Sequence, residues 1–224
     1  ALGLRALIHF DMLRMFAPSM LKDDGKAYIP YVDVYPTIVP SYENNKEILR
    51  KIVNDLKAAK DLLAKCDTIK ENKHWMSTEN RMLAVNSGTS GELTKDVFFA
   101  YRGYSMNYYA VTAELARVYL YAGKNAEAYA EAKKIIDEES ETGYFKASTS
   151  SSGFRNGNMK MYNDIIFGLY SPKELVEWDQ EINHGSDGSS EEHYLCLDSE
   201  VAKELYGDEK DSDWRFKYQL EEMY

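Results

Sequence analysis

Apolar residues fall on nearly every side of residues 2–16, interrupted by Arg5, His9, Asp11 and Arg14. This pattern predicts a helix packed on several faces. Pro18 predicts its end. From 17 to 44 the periodicity disappears, and four of the five prolines occur there (Pro18, Pro30, Pro36 and Pro40). That predicts an extended connection in which Ile29-Pro30-Tyr31-Val32 reads as a short edge strand. Over 45–65, Ile48, Ile52, Leu56, Ala59 and Leu63 recur at helical spacing, with Lys46, Arg50, Lys57 and Asp61 on the outer side.

Residues 66–104 carry no clear period. Their Ser87-Gly88-Thr89-Ser90-Gly91 patch lacks the Gly-Lys-Ser/Thr of a phosphate loop. A second strong helix is predicted over 107–122, with Tyr108, Val111, Leu115, Val118 and Ala122 on one face and Gly123 as its stop. Asn125 reads as the cap of a following helix, which has Glu127 in its first turn, carries Ala128, Ala132, Ile135 and Ile136 and runs to about Asp137. Ile165-Ile166-Phe167-Gly168-Leu169 reads as a buried strand. A last helix is expected from Ser199 to Tyr206, with Val201, Ala202 and Leu205 inward.

The fold class expected from these elements is mainly α: tetratricopeptide-like helical hairpins with long irregular loops and a few short strands. Leu115, Ala116, Tyr119, Gly123, Ala128 and Ala132 follow the spacing of one such hairpin.

Composition narrows the function. The net charge of −10 disfavours a nucleic-acid backbone as partner. The chain holds 18 Tyr, against 8 Phe and 3 Trp. Tyr joins a flat apolar ring to a hydroxyl, which suits amphipathic ligands such as sugars, although most of these rings are expected to pack helices. Cys66 and Cys196 form no metal or redox motif; their pairing stays open, and they read first as free, mostly buried thiols. Asp208, Asp211 and Asp213 lack the turn Gly and distal Glu of a calcium loop and read as a solvated acidic turn. His184 and His193 have no zinc spacing. His9 reads as a satisfied buried histidine. Arg5 is expected to pair with a carboxylate across a helix interface, and Glu114 with Arg117 on the surface. No nucleophile–base pair or placed pair of carboxylates stands out, so no enzyme and no cofactor is expected.

Several segments, in order, resemble the SusD/RagB family. Leu4, Arg5, Ala6, His9, Phe10, Leu13, Phe16 and Pro18 fit its Leu-Arg-Ala helix, with Ala17 where Gly is frequent. Gly25 and Ile29-Pro30-Tyr31 resemble its following connection. Ala116-Arg117-Val118-Tyr119-Leu120 is similar to its second-repeat helix, and 164–169 to its Glu-Ile-Ile-Phe strand, with Asp164 in place of Glu. Leu205-Tyr206 and Asp213-Trp214-Arg215 resemble a later segment.

The resemblance implies that 1–224 is a single SusD-like domain fragment cut from a longer protein. It comprises a helical scaffold to about 140 and a loop-rich ligand side from about 141. It also implies non-catalytic capture of an oligosaccharide or polysaccharide at the outward face of an outer membrane. The partner implied is a SusC-like TonB-dependent transporter, and the membrane link a lipid anchor outside this chain. A peptide-capturing RagB-like relative and a tetratricopeptide-type protein scaffold are the alternatives. Candidate rings outside the helices are Trp75, Trp178, Tyr194 and Trp214. The family's binding aromatics often follow the Ile-Ile-Phe strand. On place and chemistry, Trp178, Asp179, Asn183, His193 and Tyr194 are the expected ligand-binding residues.

Overall fold

The computed structural model describes residues 1–36, 39–82, 94–145, 162–171, 199–209, 212 and 213. It is mainly helical with short strands and loops, as the periodicity predicted. Among the described residues its α-helices are α1 (Leu2–Phe16), α2 (Asn45–Asp67), α3 (Thr78–Met82), α4 (Tyr108–Tyr121), α5 (Asn125–Thr142) and α6 (Ser199–Tyr206). Strands β1 (Ala27–Pro30) and β2 (Tyr42–Asn44) pair antiparallel, with an irregularity between Ala27 and Ile29. Pro30 is tolerated because a two-stranded ribbon leaves it an open edge.

The chain forms two compact units, one of Ala1–Ser148 and Met161–Gly168, the other of Thr149–Lys160 and Leu169–Tyr224. The core of the first lies between α1, α2 and α4. Ala6, Phe10 and Leu13 meet Ile48, Ile52, Leu56 and Ala59 of α2, together with Val111, Leu115 and Val118 of α4. α5 contributes Ala128 to this core. A Cβ on Gly3 would sit 2.8 Å from Met106 Cγ and 3.2 Å from Val111 Cγ2, so a glycine there permits the close approach of α1 to α4.

Local signals set the helix ends. Asn44 caps α2 by accepting the Glu47 N–H at 3.0 Å. The buried Asn45 side chain donates to the Pro18 carbonyl at 2.9 Å, tying the start of α2 to the end of α1. Gly123, at φ 73°, closes α4. Lys124 N–H donates to Tyr119 O and Gly123 N–H to Leu120 O, which is a Schellman arrangement. α5 is capped at Lys124 and not at Asn125, and it runs past Asp137 to Thr142 before Gly143 turns it off at φ 70°.

Arg5 pairs with a carboxylate across a helix interface as expected, and the partner, Asp55, comes from α2. Arg5 Nε and Nη2 donate to the Asp55 carboxylate at 2.6 and 2.8 Å, and the Tyr31 hydroxyl donates to the same carboxylate at 2.6 Å. His9 is half-buried and satisfied at both ring nitrogens. Nε2 accepts the Val32 N–H at 3.0 Å, so Nδ1 carries the proton given to the Arg5 carbonyl at 2.7 Å.

Several expectations are corrected. Glu114 is 5 % exposed and not a surface residue; it pairs with Arg117 at 2.7 Å from beneath. Burial raises its carboxyl despite the Arg117 charge. Val201 and Leu205 of α6, expected inward, are exposed. A helical period says which residues share a face, and the neighbours decide whether that face is covered. Residues 165–169 form no strand. The Ile165 and Ile166 carbonyls accept from Arg81 and Asn107, and the Gly168 N–H donates to Gly103 O, where a sheet was expected.

Candidate functional site

α2 ends on Asp67, and this carboxylate organises the turn Arg102–Tyr104 and the start of α4. Arg102 Nε and Nη2 donate to its two oxygens at 2.9 and 2.8 Å, and the Tyr108 N–H in the first turn of α4 donates to Oδ2 at 2.8 Å. Asp67 thus pairs a buried cation and also satisfies an orphan amide where the helix dipole favours a negative charge. Asn107 caps the same helix by accepting the Ala110 N–H at 2.9 Å.

Fixing Arg102 fixes the segment before it. Residues 97–101 read Val-Phe-Phe-Ala-Tyr and lead into a 3-10 turn, Arg102–Tyr104. Tyr101 enters that turn at φ 52°, ψ 45°, a left-handed backbone that a tyrosine rarely adopts. The Phe98 ring covers the Arg102 guanidinium at 4.3 Å. Phe99 meets Phe98 edge-on, with centroids 5.0 Å apart, and lies nearly parallel to Trp75 at 6.2 Å and 21°. Trp75 comes from a separate 3-10 turn, Lys73–Met76, and also touches His74 at 4.4 Å. Tyr101 and Tyr104 lie 6.4 Å apart. The result is a row of aromatic side chains, in the order Trp75, Phe99, Phe98, in which Phe98 is 42 % exposed and Trp75 and Phe99 are half-buried; Tyr101, 51 % exposed, follows it in the chain and meets Tyr104.

Beneath this row lies a second apolar cluster. Met76, Tyr109 and Phe145 are its buried members, and Trp75, Tyr108, Ile135, Tyr144 and Ile166 pack around them. Exposed polar residues border the row, with Lys95 and Asp96 before Val97 and Glu71 before the Trp75 turn. Chemically the row offers flat apolar rings on a rigid footing with polar groups at its margin, the combination that stacks on a pyranose and hydrogen-bonds its hydroxyls.

Of the rings expected from sequence, Trp75 belongs to this row. Trp178, Asp179, Asn183, His193 and Tyr194 lie outside the described residues, as do Trp214, His184, Cys196 and Asp211. Sequence reasoning missed Phe98, Phe99 and Tyr101 because 66–104 shows no period. The available signal was four aromatics within 98–104 between two helices. It also missed Asp67 and Arg102, because buried charges are recognised by the partner they meet and these two lie far apart in the chain. Among the described residues no group of three or more His, Cys, Asp or Glu could hold a metal ion, and no helix is long and apolar enough to cross a membrane.

No protein-family profile matches the sequence, and no curated protein or solved structure matches it either.

Proposed function

We propose that this protein captures nutrient glycans without catalysis, and that the aromatic row of Trp75, Phe99 and Phe98, together with Tyr101, contributes to the sugar-stacking surface. One observation carries the reading: partly exposed rings from two separate turns meet at Trp75 and Phe99, and the adjoining Phe98 lies over the buried Asp67–Arg102 pair. Exposing aromatic surface is unfavourable unless something covers it, and the apolar face of a sugar is a fitting cover. The resemblance to the SusD/RagB family supplies the setting of the proposal. In it, the ligand is an oligosaccharide or polysaccharide taken up at the outer face of an outer membrane and passed to a SusC-like TonB-dependent transporter. The segment bearing Trp178 and Tyr194 is proposed to add to the same task.

Affinity electrophoresis of the full chain through gels containing soluble polysaccharides tests this. The expected result is retardation by one glycan class, reduced in Trp75→Ala and Tyr101→Ala variants that keep the wild-type circular dichroism. A folded wild-type chain that no glycan retards would overturn the capture reading. Retardation lost in Trp178→Ala or Tyr194→Ala but untouched in both row variants would remove the row from the site.

A further inference from the structure

We infer that Arg81 is the positioning residue of the aromatic row, acting on both of its turns through main-chain carbonyls and the strap 162–168. The inference builds on the row as a binding surface but is tested independently of it.

Arg81, on the short helix α3, is 0 % exposed. Among the described residues no carboxylate pairs with it. Its guanidinium instead reads main chain from three separate segments. Nη1 donates to Met76 O and, at 2.9 Å, to Tyr144 O, while Nε donates to Ile165 O at 3.0 Å. The Phe145 ring lies 4.7 Å from its carbon centre. Burying a cation this way is unfavourable unless the bonds it makes are needed, and Nη2 is buried with no hydrogen-bond partner among the described residues.

Both turns of the row are reached from this point. Met76 follows Trp75 directly, so the bond to its carbonyl fixes the turn that carries the indole. The other route runs through the strap. Ile165 O binds Arg81, Ile166 O accepts Asn107 Nδ2 at 3.1 Å, and Gly168 N–H donates to Gly103 O at 2.9 Å. Gly103 lies in the turn that Tyr101 enters and Tyr104 closes. A Cβ on Gly103 would approach Arg81 Cγ to 2.5 Å and Arg81 O to 3.0 Å, so the turn rests directly on Arg81. A five-residue helix is too short to place two turns by its own stability. Arg81 does so because one planar fork binds several carbonyls at once, which a lysine, a single point of charge, does not reproduce.

The test uses the full chain with Trp178→Phe and Trp214→Phe, leaving Trp75 as the sole tryptophan of the three. Arg81→Lys and Asn107→Ser are then compared. Asn107→Ser keeps a capping oxygen for α4 but removes the Nδ2 donor to the strap, and so remains informative where an Arg81 variant fails to fold. Three readouts are taken: hydrogen exchange of the Gly168 amide, acrylamide quenching of Trp75, and the urea midpoint. In both variants the Gly168 amide is expected to exchange about tenfold faster, in keeping with the loss of one hydrogen bond to the strap. Trp75 quenching should rise in Arg81→Lys while far-ultraviolet circular dichroism stays unchanged.

Unchanged Gly168 exchange in both variants would overturn the strap's part. Unchanged Trp75 quenching in a folded Arg81→Lys protein would overturn Arg81 as the positioning residue. If the wild type binds no glycan, the capture reading fails while these readouts still decide the inference. Where it does bind, Arg81→Lys should weaken binding although Arg81 touches no ligand.

Discussion

Arg102 and Asp67 meet as a two-pronged ion pair whose side chains are 3 % and 0 % exposed, 35 residues apart in sequence. The pair joins the end of α2 to the turn under the aromatic row, and the Tyr108 N–H completes the coordination of the carboxylate. Removing one partner leaves the other charge buried. Asp67→Ala is therefore expected to destabilise the protein by about 3–5 kcal/mol. Asp11→Ala, which breaks the exposed pair with Arg14, should change stability by about 0–1 kcal/mol. Urea unfolding of the two variants checks the contrast. Equal midpoints would mean that Arg102 finds another partner.

Asp55 and Glu114 should give pH dependences of opposite sign. Burial alone would raise the Asp55 carboxyl, but bonds from Arg5 and Tyr31 and the Arg5 charge hold it below the usual carboxylate range. Its stabilising contribution is full above the unfolded value and is lost as pH falls through the lowered folded value. Glu114 is raised, first by burial and against the pull of Arg117. Here the native state binds more protons than the unfolded one between the two values, so stability falls as pH rises through that window. Asp55→Asn should flatten the acid limb of a stability–pH curve measured by urea melts. Glu114→Gln should remove the decline above the ordinary Glu range. A Glu114→Gln curve that overlays the wild type would show that Glu114 titrates alike in both states.

The frame of this fold was legible and its footing was not, for a physical reason. α2 and α4 announce themselves because Ile48, Ile52, Leu56, Leu115 and Val118 repeat at the period of the helix that buries them, whereas α1 is apolar on nearly every side and is marked by the Pro18 that follows it. Gly123 is legible because a left-handed stop favours glycine. Nothing local marks Asp67, Arg81 or Arg102, all of which are buried at or near the ends of helices. Each is explained by a partner distant in sequence. The run 165–169 shows the same limit from the other side. An apolar stretch predicts burial better than conformation, and here the Ile165 and Ile166 carbonyls accept from side-chain donors where a strand was expected. α5 was expected to stop near Asp137, but its Glu-rich continuation tolerates helix and the turn residue, Gly143, comes later.

Gly103 ties that footing to the row. Any side chain there would press against Met82 Sδ and Arg81 Cγ, so Gly103→Ala should lower stability by about 1–3 kcal/mol through overpacking. Gly25 and Gly123 have open space beside them and stand at positive φ, so substitution there acts through backbone strain alone. The discriminating measurement is Trp75 fluorescence quenching in a single-tryptophan background. Gly103→Ala should alter it and Gly25→Ala should not. A Gly103→Ala protein with wild-type stability and quenching would mean that the turn can move away from α3 at no cost.

The last prediction concerns the character of binding at the row. Stacking on a neutral sugar depends on apolar area and on dispersion, neither of which is screened by ions. The net charge of −10 would instead repel an acidic glycan, and added salt would strengthen that interaction by screening the repulsion. For a neutral ligand, binding measured by calorimetry is expected to change little between about 0.05 and 0.5 M salt, a range over which the Debye length falls severalfold. Trp75→Ala should weaken binding by roughly tenfold, corresponding to about 1.4 kcal/mol, and Tyr101→Phe should weaken it less, because the ring that stacks is retained while its hydroxyl is lost. If affinity rises steeply with salt, the ligand is anionic and repelled by the chain. If Tyr101→Phe is as damaging as Trp75→Ala, the hydroxyl and not the ring face makes the decisive contact, and the row acts as a hydrogen-bonding edge instead of a stacking platform.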